Sequence, residues 1–89
     1  MSEIETLTTA IKVYGEEKQE QMAIEECAEL IQAINHKHRG RENNIAEEIA
    51  DVEIMLEQLK IINNCYKEVE QIHTEKINRL YDNVFEKCL

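Results

Sequence analysis

The 89-residue sequence contains no proline, no tryptophan and only two glycines. Because proline and glycine are the residues that most often interrupt helices, their scarcity favours long helices joined by few turns. The alternation of apolar and polar residues that is typical of strands is also absent. The sequence therefore predicts an all-α fold with four helical segments and no sheet.

The sequence also lacks features that direct a protein out of the cytoplasm. Its first residues are acidic where a signal peptide needs basic ones. No apolar run approaches the roughly 20 residues that a membrane span requires. The three cysteines are odd in number and form no CxxC pair, which disfavours disulfides. We expect a cytoplasmic protein with no membrane partner.

Basic residues are scarce: 19 acids stand against 10 lysines and arginines, and the formal net charge is −9. This balance disfavours a nucleic-acid partner, whose backbone requires a basic surface. A nucleotide substrate would also be repelled unless divalent cations neutralised the acids. The alternative is an acidic surface that simply favours solubility.

The two glycines and a run of polar residues divide the chain into helices. Gly15 suits the end of a first helix, and Asn44 with Glu47 resembles a capping box at the start of the third. The predicted helices are residues 2–14, 16–38, 45 to about 62–64, and 66–87. A domain this small has a modest core and needs support from a metal or from oligomerisation.

The second and third helices each carry an apolar stripe at helical spacing. In the second helix the stripe comprises Ala23, Cys27, Leu30, Ile31 and Ile34. In the third it comprises Ile45, Ile49, Val52, Leu56 and Leu59. The short connection between them predicts an antiparallel helical hairpin. Ile24 and Ile54 lie off the stripes, either for contact with a partner subunit or as isolated exposed residues.

Acid pairs occur beside both stripes. Glu26 and Glu29 lie three residues apart, as do Glu48 and Asp51, so each pair lies on one side of its helix. If the helices pack, the four carboxylates can converge, and they would repel one another unless a cation neutralised them. Ligand sets of oxygen alone favour hard ions such as Mg²⁺, which binds alongside substrate phosphates. The alternative is a solvated acidic helix face.

The order of motifs resembles the MazG-like branch of the all-α NTP pyrophosphatases. The matching segments are Tyr14-Gly15, Gln19, residues 22–31 (MAIEECAELI), Arg39-Gly40 and residues 44–52 (NIAEEIADV). The resemblance covers roughly half of the chain, from Tyr14 to Leu59, and its defining feature is EExxE followed by ExxD. It implies a four-helix bundle completed by oligomerisation, dependence on Mg²⁺ (with Mn²⁺ as a possible substitute), and cleavage between the α- and β-phosphates.

The resemblance also implies roles for individual residues. The residues that match metal ligands are Glu26, Glu29, Glu48 and Asp51, and these four with Glu25 form the expected catalytic set. Gln19 matches a position expected near the substrate. Lys76 and Arg79 resemble the basic C-terminal region of the family and are candidates to bind phosphates across a subunit interface, although a role as surface charges that balance nearby acids suits them equally. No GxxxxGK[ST] loop is present, which argues against a P-loop ATPase.

We therefore expect a single domain, residues 1–89, that converts nucleoside triphosphates to monophosphates and pyrophosphate as a homo-oligomer, dimer or tetramer. Two alternatives remain open at this point. In the first, the chain is a non-enzymatic acidic helical module that binds a partner protein. In the second, it is an enzyme of the same family that acts on dUTP or phosphoribosyl-ATP.

Overall fold

Four α-helices make up the part of the chain that the computed structural model describes, residues 1–88, and that part contains no β-strand. In chain order they are α1 (Glu3–Tyr14), α2 (Glu16–His38), α3 (Ile45–Ile62) and α4 (Tyr66–Cys88). The all-α prediction is confirmed, and each predicted helix agrees with an observed one to within a residue or two. Leu89, the last residue of the predicted domain, lies outside the described residues.

The ends of α1 follow from local side-chain and backbone chemistry. Oγ of Ser2 accepts a hydrogen bond from the Glu5 amide over 3.1 Å, which satisfies one of the free amides at the start of the helix. Gly15 separates α1 from α2 with a φ of 93°, a value that residues with a side chain rarely adopt. Its amide donates to the Ile11 carbonyl over 2.8 Å. The predicted role of Gly15 as a helix terminator is thus confirmed.

The start of α3 differs from the predicted capping box. Asn44 occupies the N-cap position, but its side chain makes no capping bond to the backbone. Its Nδ2 instead donates to Oε1 of Glu48 over 2.7 Å. Oδ1 of Asn43 accepts from the Ile45 amide over 3.4 Å, in a weak contact at the helix end. Asn44 therefore occupies the predicted N-cap position, but the side-chain hydrogen bonds of the predicted capping box are not formed.

Helices α2 and α3 pack antiparallel against each other. In the first turn of α2, Gln19 donates a hydrogen bond to Gln58, which lies near the end of α3, over 2.7 Å. Farther along α2, Glu26 meets Glu48 at the start of α3. Because positions advancing along α2 contact positions receding along α3, the predicted antiparallel hairpin is confirmed.

The contact surface between these two helices, called here the α2/α3 seam, is mixed in character. Its buried apolar residues are small or flexible: Ala23, Ala33 and Met55. Its buried polar residues are Gln19, Glu48 and Gln58. Alanine side chains let two helix backbones approach closely, and the buried polar groups need partners in return. The seam therefore combines close helix packing with polar side chains that have to find contacts inside it.

Ala23 is the one residue of the predicted apolar stripes among the buried residues of the seam. Five residues of the stripes are exposed: Cys27, Ile31, Ile34, Ile49 and Leu56. Both helices are rotated relative to the prediction, so carboxylates and glutamines face the neighbouring helix. The glutamine pair and the alanines account for this rotation, since they allow a closer contact than isoleucines would. The carboxylates were expected beside an apolar contact, and Glu48 instead lies within the contact itself.

Helix α4 stands apart from the rest of the fold. Among the other helices of residues 1–88 it contacts only α3, and no residue of α4 is buried. At the junction, the Lys60 ammonium lies 5.0 Å from the centre of the Tyr66 ring. The radius of gyration is 16.4 Å, against about 12 Å for a compact chain of this length. A single chain therefore does not close the four-helix bundle.

None of the helices in residues 1–88 has both the length and the apolar character needed to cross a membrane.

Candidate metal centre

Three of the four predicted metal ligands meet where the middle of α2 faces the start of α3. Glu26 and Glu29 lie one turn apart on α2, and Glu48 reaches them from α3. One carboxylate oxygen of each residue lies within 4.8 Å of the other two. We call these three residues the carboxylate cluster. It forms because the packing of α2 against α3 brings these acids toward each other, with Glu48 buried, Glu26 half-buried and Glu29 exposed.

Two oxygens of the carboxylate cluster are buried without a partner. The Glu48 residue is only 6% exposed, and one of its oxygens, Oε2, has no hydrogen-bond partner among residues 1–88. The same holds for Oε2 of Glu26. A buried carboxylate oxygen without a donor is costly, since it has lost its contact with water and gained nothing in return. The cluster therefore has unused capacity to bind a cation.

The electrostatics of the cluster follow from burial and from like charge. Burial raises the pKa of Glu26 above its ordinary value, and the neighbouring charges of Glu29, Asp51 and Glu48 raise it further. Burial also raises the pKa of Glu48, where the hydrogen bond from Asn44 acts in the opposite direction. Glu29 and Asp51 add to the rise at Glu48. Both buried carboxyls thus retain protons more strongly than exposed glutamates do.

Glu29 is the exposed member of the cluster and connects the other two. Its carboxyl is close enough to those of Glu26 and Glu48 to raise the pKa of each of them. A cation bound among the three carboxylates would offset their mutual repulsion, and it would compete with the protons that the raised pKa values of Glu26 and Glu48 favour.

The other two predicted catalytic acids lie outside this set of three. Asp51 is half-buried, one turn beyond Glu48 on α3, and its charge acts on both buried glutamates. Glu25 is exposed on α2 and is not among the clustered residues. Asp51 is thus near enough to influence the cluster electrostatically. Glu25, which is next to Glu26 in sequence, faces solvent.

The three predicted substrate-binding residues occupy different surroundings. Gln19 is buried in the α2/α3 seam, where its Nε2 donates to Oε1 of Gln58. Lys76 and Arg79 are exposed on α4, which contacts only α3 among the other described helices. The structure gives Gln19 a packing contact and does not bring the two basic residues to the carboxylate cluster within one chain.

Two residues around the site were not singled out as site residues from the sequence. Asn44 donates a hydrogen bond to one oxygen of Glu48. The sequence feature that indicates this contact is the spacing of four residues, which places both side chains on one helix face. Gln58 accepts a hydrogen bond from Gln19 and is only 4% exposed. The sequence feature that indicates this contact is a polar residue among the apolar residues of α3. Both are polar groups whose role becomes evident only once the facing helix is in place.

The donor set of the cluster suits a hard divalent cation. All three groups are carboxylates, and hard ions such as Mg²⁺ bind oxygen ligands in preference to nitrogen or sulfur. Ligands of an octahedral Mg²⁺ site lie about 3–4 Å apart, so oxygens within 4.8 Å need only small side-chain movements to serve as ligands. The residues present therefore fit the metal that the motif predicts.

No protein-family model, no curated protein and no solved structure matches this chain.

Proposed function

We propose that this protein is a Mg²⁺-dependent nucleoside triphosphate pyrophosphohydrolase, which releases a nucleoside monophosphate and pyrophosphate. One observation carries the proposal: the carboxylate cluster joins two helices and contains two buried, unpartnered oxygens, on Glu26 and Glu48. The order of acidic motifs, EExxE followed by ExxD, resembles the MazG-like all-α NTP pyrophosphatases and supports the same proposal.

Glu26, Glu29 and Glu48 would hold the metal, with Asp51 beside them as the fourth predicted ligand. When bound, Mg²⁺ (or Mn²⁺ as a substitute) supplies positive charge that stabilises the developing charge on the phosphoryl group. The carboxylates would bind and orient the cation, and the bound cation would offset the repulsion that an acidic protein otherwise exerts on a triphosphate. This resolves the difficulty raised by a net charge of −9.

Hydrolysis also needs a group that accepts a proton from the attacking water. Glu25 is exposed beside the cluster in sequence, so it is free to approach a water molecule at the substrate. A carboxylate suits this role when it lies within hydrogen-bonding reach of the water and remains ionised. We assign the metal-holding role to the carboxylate cluster with Asp51 and the water-orienting role to Glu25.

Contacts to the rest of the substrate belong to other residues. Lys76 and Arg79 are exposed cations on α4, and we propose that they approach phosphates from a second subunit of a homo-oligomer. Gln19 has its amide nitrogen bonded to Gln58, so a direct contact with the substrate would need this bond to change. The oligomer itself, a dimer or tetramer, is supported by the small number of buried apolar residues in one chain.

Product analysis over a panel of nucleotides tests the proposal. The panel contains the NTPs and dNTPs, with dUTP and phosphoribosyl-ATP included because enzymes of the same type act on them. We expect pyrophosphate and a monophosphate in the presence of Mg²⁺ or Mn²⁺, and loss of activity when EDTA removes the metal. Release of inorganic phosphate and a diphosphate would instead show that cleavage does not occur between the α- and β-phosphates, which contradicts the proposal. No product with any nucleotide would overturn the proposal.

A second candidate function has its own support. The apolar side chains of α4 are exposed over most of its length, as expected of a non-enzymatic helical module that binds a partner protein. Melting curves separate the two functions, because a cation that binds the folded state specifically must raise the melting temperature. A clear rise with Mg²⁺ or Mn²⁺ favours the enzyme, and no rise with either favours the interaction module.

A further inference from the structure

The connection between α2 and α3 concentrates positive charge in an acidic protein. Residues 36–41 (HKHRGR) contain three of the chain's ten lysines and arginines and two of its three histidines, without a single acid. We call the three cations, Lys37, Arg39 and Arg41, the basic tip. All three are exposed, and the one salt bridge among residues 1–88 lies elsewhere. The basic tip therefore keeps its charge available in a chain whose formal net charge is −9.

The backbone holds the basic tip in a defined turn. Gly40 has a φ of 70°, the left-handed conformation that often ends a helix and that glycine adopts readily. The Gly40 amide donates to the Lys37 carbonyl over 3.0 Å, and the Arg41 amide donates to the His36 carbonyl over 2.9 Å. These bonds close the turn directly after α2, with Arg39 and Arg41 on either side of Gly40. Binding of an anion there needs ordering of side chains and no ordering of the backbone.

The basic tip lies at the end of the hairpin that also holds the carboxylate cluster. His36 follows Glu29 by seven residues, almost two helical turns, so the two lie on one side of α2 and about 10 Å apart along its axis. Glu29 is the exposed member of the cluster, and His36 is half-buried where the tip begins. On the facing helix, Glu48 lies in the first turn of α3, seven residues after Arg41. The exposed edge of the cluster therefore leads along one side of the hairpin to the basic tip.

This order of charges matches a metal-bound polyphosphate. Carboxylates suit the cation, and a cation shared with a phosphate chain leaves the more distant phosphate oxygens negatively charged. Arginine binds such oxygens through two parallel N–H groups, and it keeps its charge at any physiological pH. Of the exposed cations considered as phosphate ligands, Lys76 and Arg79 are not brought to the cluster within one chain, whereas the basic tip belongs to the same hairpin.

We propose that the basic tip binds the phosphates beyond the scissile bond, the pyrophosphate end of the nucleotide, while the carboxylate cluster holds the cation. The inference rests on the proposed function and deepens it, because it names the feature of the substrate that the enzyme recognises: the length of the phosphate chain. A nucleoside diphosphate ends one phosphate earlier and leaves the tip with less to bind. The tip would thus favour triphosphates over diphosphates.

A structural role at the end of α2 accounts for part of the tip only. Positive charge in the last turn of a helix is favourable, but this effect falls off beyond that turn. Lys37 lies in the last turn of α2 and Arg39 is its C-cap. Arg41 follows the helix, so the helix end gives little reason for its charge. Arg39 and Arg41 are therefore the positions at which the two roles separate best.

Kinetics and binding on two double variants test the proposal. Arg39→Gln/Arg41→Gln removes two charges from the tip. Lys12→Gln/Lys18→Gln is the matched control, because it removes two exposed charges far from the tip, at the end of α1 and the start of α2. With Mg²⁺ present, the tip variant should lower kcat/KM for a triphosphate by about 10–100-fold, mainly through KM. It should affect the corresponding diphosphate much less, and the control should resemble wild type for both.

Calorimetry separates binding by the tip from hydrolysis. Inorganic triphosphate with Mg²⁺ should bind wild type and the control alike and the tip variant about 10–100-fold more weakly. Sulfate should bind all three proteins weakly, and affinity for Mg²⁺ alone should not change, because the carboxylate cluster is intact. Circular dichroism checks the fold of each variant. Arg41→Gln alone, which lies beyond the helix end, should change in the same direction if the double variant loses its fold.

The outcomes distinguish the tip from the proposed function. A folded tip variant with wild-type KM for triphosphates and wild-type affinity for inorganic triphosphate overturns the tip proposal and leaves the hydrolase standing. An equal loss in the control, an equal loss for diphosphate and triphosphate, or sulfate binding as tight as triphosphate binding shows a general charge effect and also overturns it. If wild type hydrolyses no nucleotide, the proposed function fails and this inference fails with it.

Discussion

Asn44 donates a 2.7 Å hydrogen bond to one oxygen of Glu48, while the other oxygen of Glu48 is buried with no partner among residues 1–88. The two oxygens of one carboxylate therefore have different roles. The bonded oxygen fixes the orientation of the side chain, and the free oxygen keeps its capacity to bind a cation beside Glu26 and Glu29, the other members of the carboxylate cluster. This division is typical of a ligand that a neighbouring residue holds in position for a cation.

Glu48→Gln should remove metal binding and leave the fold intact. Glutamine keeps the size of the side chain but removes a buried charge, so the metal-free protein should melt at a higher temperature than wild type. Affinity for Mg²⁺ should fall by at least about 10–100-fold, and pyrophosphate release should be lost. Glu47→Gln is the control, since Glu47 is exposed on the same turn and lies outside the cluster. Activity near wild type in a natively folded Glu48→Gln protein would refute the site assignment.

Asn44→Ala should weaken Mg²⁺ binding more at mildly acidic pH than at alkaline pH. The hydrogen bond from Asn44 lowers the pKa of Glu48 against the effect of burial, so its removal lets Glu48 hold a proton to higher pH. Protons then compete better with the cation, and the loss in affinity should be larger at about pH 6 than at about pH 8. Calorimetric titration of Mg²⁺ at both values measures this difference.

Asn43→Ala provides the comparison for this experiment, because Asn43 contacts the backbone of Ile45 and not the carboxylate. An equal loss at both pH values would show that Asn44 acts only on the helix end. The same loss in Asn43→Ala would lead to the same conclusion.

Gln58→Leu should destabilise the protein, because it leaves the buried amide of Gln19 without its acceptor. The expected cost is about 1–3 kcal/mol in the free energy of unfolding, measured by urea denaturation. The double variant Gln19→Leu/Gln58→Leu should recover most of that loss, since no polar group then remains unpaired. If the double variant folds but its KM for the nucleotide rises, Gln19 also contacts substrate. A Gln58→Leu protein as stable as wild type would contradict the structural role of the pair.

The metal-free protein should lose stability as pH rises from mildly acidic to neutral. The pKa values of Glu26 and Glu48 are raised above their ordinary value of 4.5 in the folded state, so the folded protein binds protons that the unfolded chain has released. Their stabilising effect is complete below the unfolded pKa and disappears as pH rises through the folded values. Melting temperatures in EDTA across this range measure the effect.

Saturating Mg²⁺ should reverse that trend, because the cation needs ionised ligands and binds more tightly at higher pH. Binding at about pH 6 should release protons, which calorimetry in buffers of different ionisation enthalpy detects. The Glu48→Gln protein should show a weaker pH dependence of stability in EDTA. No proton release and no competition between Mg²⁺ and protons would remove the case for a converged carboxylate site.

The helices were predictable from the sequence because their signals are local. Gly15 ends α1 with a positive φ, and the polar residues after His38 end α2, so neither boundary depends on distant contacts. The side of each helix that faces its neighbour was predicted wrongly. Average apolar spacing selected Ile31 and Leu56, both of which are exposed, and gave no reason to bury Gln58. A buried polar residue is favourable only with its partner, which lies on another helix and is invisible to a pattern within one helix.

The sequence predicted which residues form the site better than it predicted how their side chains are arranged. The repeated acid spacing indicated Glu26, Glu29, Glu48 and Asp51, and the structure brings the first three together. It could not show that Asn44 bonds to Glu48 and does not cap α3, since an asparagine before a helix suits both roles. The uncovered face of α4 was likewise beyond the sequence, because the same apolar spacing would describe a helix packed within its own chain.

The buried glutamine pair also limits how the two helices can slide past each other. The buried apolar residues of the α2/α3 seam are two alanines and a flexible methionine, which offer little resistance to a shift of one helical turn, about 5.4 Å. Such a shift would separate Gln19 from Gln58 and leave two amides unpaired in the interior. It would also move Glu48 out of reach of Glu26, although those acids repel and would gain from separation. The pair thus fixes the register of the two helices. It keeps Glu26 and Glu48 close together, although the repulsion between their charges would favour a different register.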